Sequence, residues 1–295
     1  MKIGVSLPVF TADPERPIDV ARRARDLGFD GVFAPDHLFP PVFYPPSGPD
    51  RPALEVFSIL AAVAAEVPEL LVGTLVARVT LRPVGILAKQ AAALDQMAGG
   101  GAVLALGTGD RASIPEHERF GIPFPPAHDR VVLLEETVVA LRALFEGRPY
   151  PGGTRVPPLV GPLLPSGSPM LWVGGLSEPV VAVAARVADA WNGWGLDADG
   201  FAARVEALRR QAGDRTVEAT WGGIALVGVD TDELDRLVAD RRSRGLPIDG
   251  VWTGTASELR GFVGRLAETG ATWFVVLPVG PPDRLDVIAD AVLAR

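Results

Sequence analysis

The run Phe33-Ala34-Pro35-Asp36-His37-Leu38-Phe39 sets an acid and an imidazole side by side directly after a short apolar stretch. An imidazole titrates near neutral pH, so His37 can take and return a proton, and a carboxylate can hold its tautomer. The pair has three chemical readings: an acid/base couple, part of a metal site, or polar residues that bond loop amides and pack beneath segment 39–52. A metal fits worst, because a catalytic metal needs ligands converging from several elements. The other two histidines, His117 and His128, fall together in one later segment, where Glu116-His117-Glu118 reads as solvated surface or a helix start.

Two glycine turns are the next candidates. Gly107-Thr108-Gly109-Asp110-Arg111-Ala112 follows an apolar run and matches the G-x-G-x-x-A spacing of a dinucleotide fingerprint. That fingerprint needs a helix opening within the glycines and an acid at a second strand's end about 20 residues on. Pro115 and the proline-rich 123–126 oppose the helix, and Glu135 and Glu136 lie inside the clearest helical pattern of the chain. What remains is a tight turn, or a backbone that comes close to a flat ring. In Gly174-Gly175-Leu176-Ser177-Glu178-Pro179, Ser177 can cap a helix whose first-turn amides bind a phosphate. Glu178 in the same turn equally suits a plain complement to the helix dipole. Arg78 is the cation best placed to meet an anionic group, or else a solvated loop charge. Trp191 and Trp194 are core packing or the lining of an apolar pocket.

Apolar runs able to form buried strands occur at 3–7, 31–34, 70–77, 103–107, 170–175, 189–194, 219–229 and 272–279. Helical patterns follow them at 18–27, 53–65, 83–97, 129–145, 179–188, 201–210, 231–244, 256–269 and 283–294. The best has Val131, Leu134, Val138, Leu141 and Phe145 on one stripe. Eight strands, each followed by helical pattern, predict an α/β fold: a single (β/α)8 TIM barrel spanning 1–295 as one domain. The insertions 39–52 and 110–128 follow strands two and four, so they fall at the C-terminal mouth where such barrels place their active sites.

Composition narrows the partners. A net charge of -8 argues against nucleic acid. No apolar run reaches the roughly 18 residues of a membrane helix. The absence of cysteine excludes a disulfide framework and thiolate metal sites and fits the cytoplasm. A small-molecule substrate is the expected partner. Only Lys2 and Lys89 are lysines among 28 basic residues, a bias that points to a GC-rich genome.

The stretches "LGFDGVFAPDHL" (27–38), "VGTLVARVTLRPVGILAKQAAALDQMAGG" (72–100), "LALGTGD" (104–110), "HERFGIPF" (117–124), "WVGGLSEPVVAVAARVADAWNGW" (172–194) and "GTASELRGFVGRLAETGATWFVV" (254–276) occur in order along nearly the whole chain. With them the sequence resembles the luciferase-like flavin-dependent oxidoreductases, a (β/α)8 family that includes bacterial luciferase and enzymes using the deazaflavin coenzyme F420. The resemblance implies that Thr74, Leu75 and Val76 form a bulge behind the ring, with a cis peptide at Leu75-Val76. It implies that Gly107, Thr108 and Gly109 lie beside the ring and its side chain, and that Gly174, Gly175 and Ser177 bind phosphate. Asp36 and His37 then lie near the reacting face, with Asp36 orienting His37, and Asp110 stands where some members carry a glutamate proton donor. Gly101, where the family often has arginine, and Ala105, where glycine is common, are departures, as is the shorter Asp110. The activity implied is hydride transfer between F420 and a small organic substrate, the GC-rich composition favouring the deazaflavin. The alternatives are a two-component monooxygenase supplied with reduced FMN by a separate reductase, and a flavin-binding relative without catalysis. A homodimer is also implied.

Overall fold

Apolar runs that bury both faces alternate here with amphipathic segments that bury one, the pattern that wraps helices around a parallel sheet. The computed structural model describes residues 1–41 and 48–293, so residues 42–47 of the predicted 39–52 insertion and the last residue of the predicted 283–294 helix lie outside the described residues. In order, the elements are β1 Lys2–Ser6, α1 Glu15–Leu27, β2 Gly31–Ala34, α2 Val56–Glu66, β3 Leu71–Arg78, α3 Val84–Met97 and β4 Ala102–Gly107. A 3-10 turn, Arg111–Ser113, leads to α4 Ile114–Arg119, α5 Ala127–Phe145, β5 Met170–Gly174, α6 Glu178–Val187, β6 Ala190–Trp194 and α7 Ala198–Ala212. The chain closes with β7 Glu218–Gly228, α8 Thr231–Ser243, β8 Val251–Thr255, α9 Ala256–Thr269, β9 Ala271–Pro278 and α10 Arg284–Val292.

The strands β1 to β7 pair in parallel in sequence order, β7 pairs with β9, and β9 returns to β1, which closes an eight-stranded barrel. The predicted (β/α)8 barrel is therefore present, with one strand more than expected. β8 lies outside the barrel, paired with Ile224–Gly228 of β7, beyond the last β6 partner at Gly222. Its residues are mostly half-buried, so it lacks the apolar run by which the other strands announce themselves in sequence.

Local signals set several boundaries. α1 ends at Gly28, whose φ of 90° is the left-handed conformation that lets its amide return to the carbonyls of Ala24 and Arg25. α9 opens on a capping box between Thr255 and Glu258.

The barrel lumen is packed. Phe33 stacks on Trp172 at 5.5 Å and meets Trp273 edge-on at 5.4 Å, and Leu75, Val103, Ala105, Ala190 and Val275 complete this inner cluster. Val76 and Trp194, partly buried, pack against the plug. The larger apolar core lies between the sheet and the helices.

Candidate active site

The ends of β2, β3 and β4 converge on Glu116, a residue of α4 whose carboxylate is fully buried. Nδ1 of His37 lies 2.7 Å from Glu116 Oε1. Arg78, the last residue of β3, donates from Nη1 to Oε1 at 3.2 Å and from Nη2 to Oε2 at 2.7 Å, and the Leu38 amide donates to Oε2 at 2.5 Å. Burial pushes the Glu116 carboxyl up, but the hydrogen bond from His37 and the Arg78 guanidinium outweigh it and hold the group below its usual range. Glu116 is thus an anion, so its Oε1 accepts from His37 Nδ1, and Nε2 is the other ring nitrogen of the imidazole. The His37 side chain is 18% exposed, with its ring 5.9 Å from that of Phe10.

Asp36 has another task than the one expected of it. Its buried carboxylate accepts from the Arg78 amide at 3.1 Å and from both terminal nitrogens of Arg82 at 2.6 and 3.0 Å. Both oxygens are taken by these donors, and it is Glu116, not Asp36, whose carboxylate meets Nδ1 of His37. The residue expected on the surface is a buried anchor, because α4 folds its Glu116 face against the mouth. His117 is buried too, with Nδ1 against the Pro123 carbonyl at 3.1 Å, Nε2 against Thr80 Oγ1 at 3.2 Å, and its ring tilted on Phe124. Arg78 is 3% exposed and also donates from Nε to the Asp36 carbonyl, so its charge is turned inward rather than offered to the open mouth. The apolar residues around Glu116 in sequence carry no periodicity that signals this burial; its one sequence signal is an acid beside the Ile114-Pro115 helix start.

The other candidates separate by position. The peptide Leu75-Val76 is cis, and the β3–β4 register shifts between Thr74 and Ala77, as the expected bulge requires. The Thr74 hydroxyl donates to the Ala105 carbonyl. The Val76 side chain occupies the space beside two glycines: a Cβ on Gly107 would fall 2.5 Å from Val76 Cγ2, and one on Gly174 would fall 2.6 Å from Cγ1. Those glycines admit a side chain of the chain itself. Gly109 has φ 69°, which keeps the Thr108–Asp110 turn tight, and Thr108 bonds the Gly109 carbonyl. Asp110 is exposed and caps the 3-10 turn through Ser113.

Ser177 stands at the N-cap of α6, exposed, with its hydroxyl making no capping bond. The amides of Val180 and Val181 return to its carbonyl and Pro179 has none, so Ser177 and Glu178 are the turn's remaining backbone donors. Arg130, in the first turn of the neighbouring helix α5, belongs to the residues that resemble the family, but no role follows for it from the sequence. Its guanidinium lies over the Phe124 ring at 4.0 Å and donates to the Pro125 carbonyl; its Nε is buried and unbonded. Burial lowers its pKa against the opposing pull of Asp110, so an anion there would be welcome. Helices α5 and α6 pack together, and the unbonded Arg130 Nε and the first-turn amides of α6 are groups of the kind that hold a phosphate.

Of the two tryptophans only Trp194 reaches open space. Trp191 is fully buried, stacks on Phe201 at 5.8 Å and donates to the Gly175 carbonyl at 2.8 Å, so it belongs to the core and not to a pocket. Trp194 and Asp110 line a cavity of about 1210 Å³, and His37, Gly107 and Gly174 are outside that lining. Among the described residues no helix is long and apolar enough to cross a membrane.

Known proteins resemble this chain in sequence and in fold. Residues 1–284 match the family model of the luciferase-like monooxygenases. An uncharacterized protein of Mycobacterium tuberculosis is 30% identical over 244 residues, covering 75% of this chain and 80% of the relative. The F420-dependent glucose-6-phosphate dehydrogenase of Nakamurella multipartita is 28% identical over 247 residues, covering 81% and 66%. In fold, an F420-dependent secondary alcohol dehydrogenase bound to an F420-acetone adduct superposes with a TM-score of 0.81 at 19% identity, over 98% of this chain and 97% of the other. The EDTA monooxygenase of Chelativorans sp. BNC1 superposes at 0.80 and 16% identity, over 99% and 92%.

Proposed function

The chain belongs to the luciferase-like monooxygenase family and is an oxidoreductase, and from that premise we propose that it moves a hydride between coenzyme F420 and an organic substrate. The observation that carries the reading is the buried His37–Glu116–Arg78 network at the mouth. A hydride transfer to or from a carbon bearing oxygen requires a proton to reach or leave that oxygen, and a fixed imidazole is suited to it. Nε2 of His37 exchanges this proton, while Glu116 holds the ring through Nδ1 and offsets the charge of the imidazolium that forms. Arg78 and the Leu38 amide hold Glu116 in turn.

When bound, F420 would supply the hydride donor or acceptor. Arg130 and the amides of Ser177 and Glu178 would meet its phosphate, and Thr74 to Val76, Gly107 to Gly109, Gly174 and Gly175 would border its ring and side chain. Relatives named for F420 favour this coenzyme, and the monooxygenase among the structural neighbours keeps FMN as the second reading, with a separate reductase as partner. Fluorescence quenching of the purified protein with F420 and with FMN tests the choice. F420 is expected to bind at about micromolar concentration or below; tight FMN binding with no response to F420 overturns the reading.

A further inference from the structure

The cavity of about 1210 Å³ is larger than the roughly 300–1,000 Å³ in which proteins enclose drug-sized ligands. It begins at the strand ends, at Ser6 of β1, Trp194 of β6 and Leu277 of β9, and runs outward between the N-terminal half of α1 and the C-terminal half of α8. The inner part, at the strand ends, is mostly apolar, with Pro8, Trp194, Ile224, Leu226, Leu277 and Val279, and its polar residues, Ser6 and Asp110, include no cation. No residue of α8 is fully buried, and its Leu237 is turned toward this space rather than into the core.

Charge is distributed to match. The arginines that line the cavity, Arg16, Arg23, Arg241 and Arg244, all lie on α1 or at the end of α8, at the outer part. Of these, Arg23 pairs with Asp286 and Arg244 with Asp240. Both lysines of the chain are elsewhere: Lys2 lies over the Trp273 ring and Lys89 bonds the Leu164 carbonyl. A phosphoryl group entering the inner part would lose water without meeting a cation, a penalty that excludes it. An apolar body of ten or so carbons would instead bury its surface against the aliphatic wall.

We infer that the substrate is a bulky, predominantly apolar molecule whose reacting group lies beside Trp194 and whose body lies between α1 and α8, and that phosphorylated sugars are not its substrates. The inference rests on the hydride-transfer reading of the same mouth. Its test is equilibrium binding by calorimetry with three probes, acetone, cyclododecanone and glucose 6-phosphate, alongside a separate titration with F420.

Cyclododecanone binds at least about a hundredfold more tightly than acetone, because each added methylene contributes to burial, and glucose 6-phosphate gives no heat at millimolar concentration. Leu237→Glu and Leu246→Glu each weaken cyclododecanone by about tenfold or more, with F420 affinity and the urea midpoint unchanged. Equal affinity for the two ketones, tighter binding of glucose 6-phosphate, or full ketone affinity in both variants overturns the inference. Ketone discrimination without F420 binding removes the coenzyme reading and leaves the cavity assignment standing. F420 binding without ketone discrimination does the reverse.

Discussion

Glu116 Oε1 stands 2.7 Å from Nδ1 of His37, although 79 positions separate the two residues in the chain. The contact divides the mouth into two ion systems. Glu116 serves the imidazole and Arg78; Asp36, the sequence neighbour of His37, serves Arg82 and the Arg78 backbone. In the proposed reaction Glu116 is therefore the carboxylate that positions the proton-carrying imidazole, and Asp36 belongs to the scaffold.

Glu116→Gln is expected to lower kcat by about tenfold or more while leaving F420 affinity unchanged, since the imidazole loses the anion that orients it. His37→Ala should lower kcat by about a hundredfold or more. Asp36→Asn should cost about 3 kcal/mol of stability by removing the carboxylate that holds both terminal nitrogens of Arg82 and leaving it only the longer Glu55 pair at 3.4 Å, with turnover per folded molecule far less reduced than in Glu116→Gln. Steady-state kinetics and urea unfolding of the three variants separate these outcomes; equal turnover losses in Glu116→Gln and Asp36→Asn would contradict the division.

Acid unfolding should report the same carboxylate. The folded pKa of Glu116 lies below its ordinary value of 4.5, so the folded state binds its proton less readily than the unfolded state does. The resulting stabilisation is complete above that ordinary value and is lost as pH falls from it through the lower, folded value. Urea midpoints measured from pH 6 to pH 3 should fall for the wild type, and the Glu116→Gln variant should show a shallower fall across the same range.

Val76 and the two glycines beside it make a packing prediction. Gly107→Ala places a methyl 2.5 Å from Val76 Cγ2 and should destabilise by about 1–3 kcal/mol. Combining it with Val76→Ala, which opens the space, should recover about 1 kcal/mol relative to the sum of the single changes. Additive effects in denaturant unfolding would mean that the glycine is not there to admit Val76.

The tryptophans should part company. Trp191→Phe removes a buried bond to the Gly175 carbonyl and should cost about 1–2 kcal/mol of stability. Trp194→Ala should act mainly on KM for substrate, because its ring borders the cavity. A KM effect from Trp191→Phe at unchanged stability would reverse the assignment.

How much of this was legible beforehand follows from the range over which each signal acts. The eight barrel strands and the bulge after Thr74 depend on composition or a long family likeness, and they are legible in the sequence. β8 is not, because it pairs with one edge of β7 and buries little, so no apolar run marks it. Ser177 was readable as an N-cap position, but its hydroxyl makes no capping bond.

By itself the sequence determined the barrel and the placing of Asp36, His37, Asp110 and both glycine turns at its C-terminal mouth, because hydrophobic periodicity is local and strand direction sets which loops share an end. Only the tertiary structure decided what those residues touch. It buried Glu116 and joined it to His37, turned Arg78 inward, filled the glycine spaces with Val76, and divided Trp191 from Trp194. Each of these depends on contacts between elements distant in the chain, where packing and the pairing of buried charge select the partner and sequence spacing carries no information.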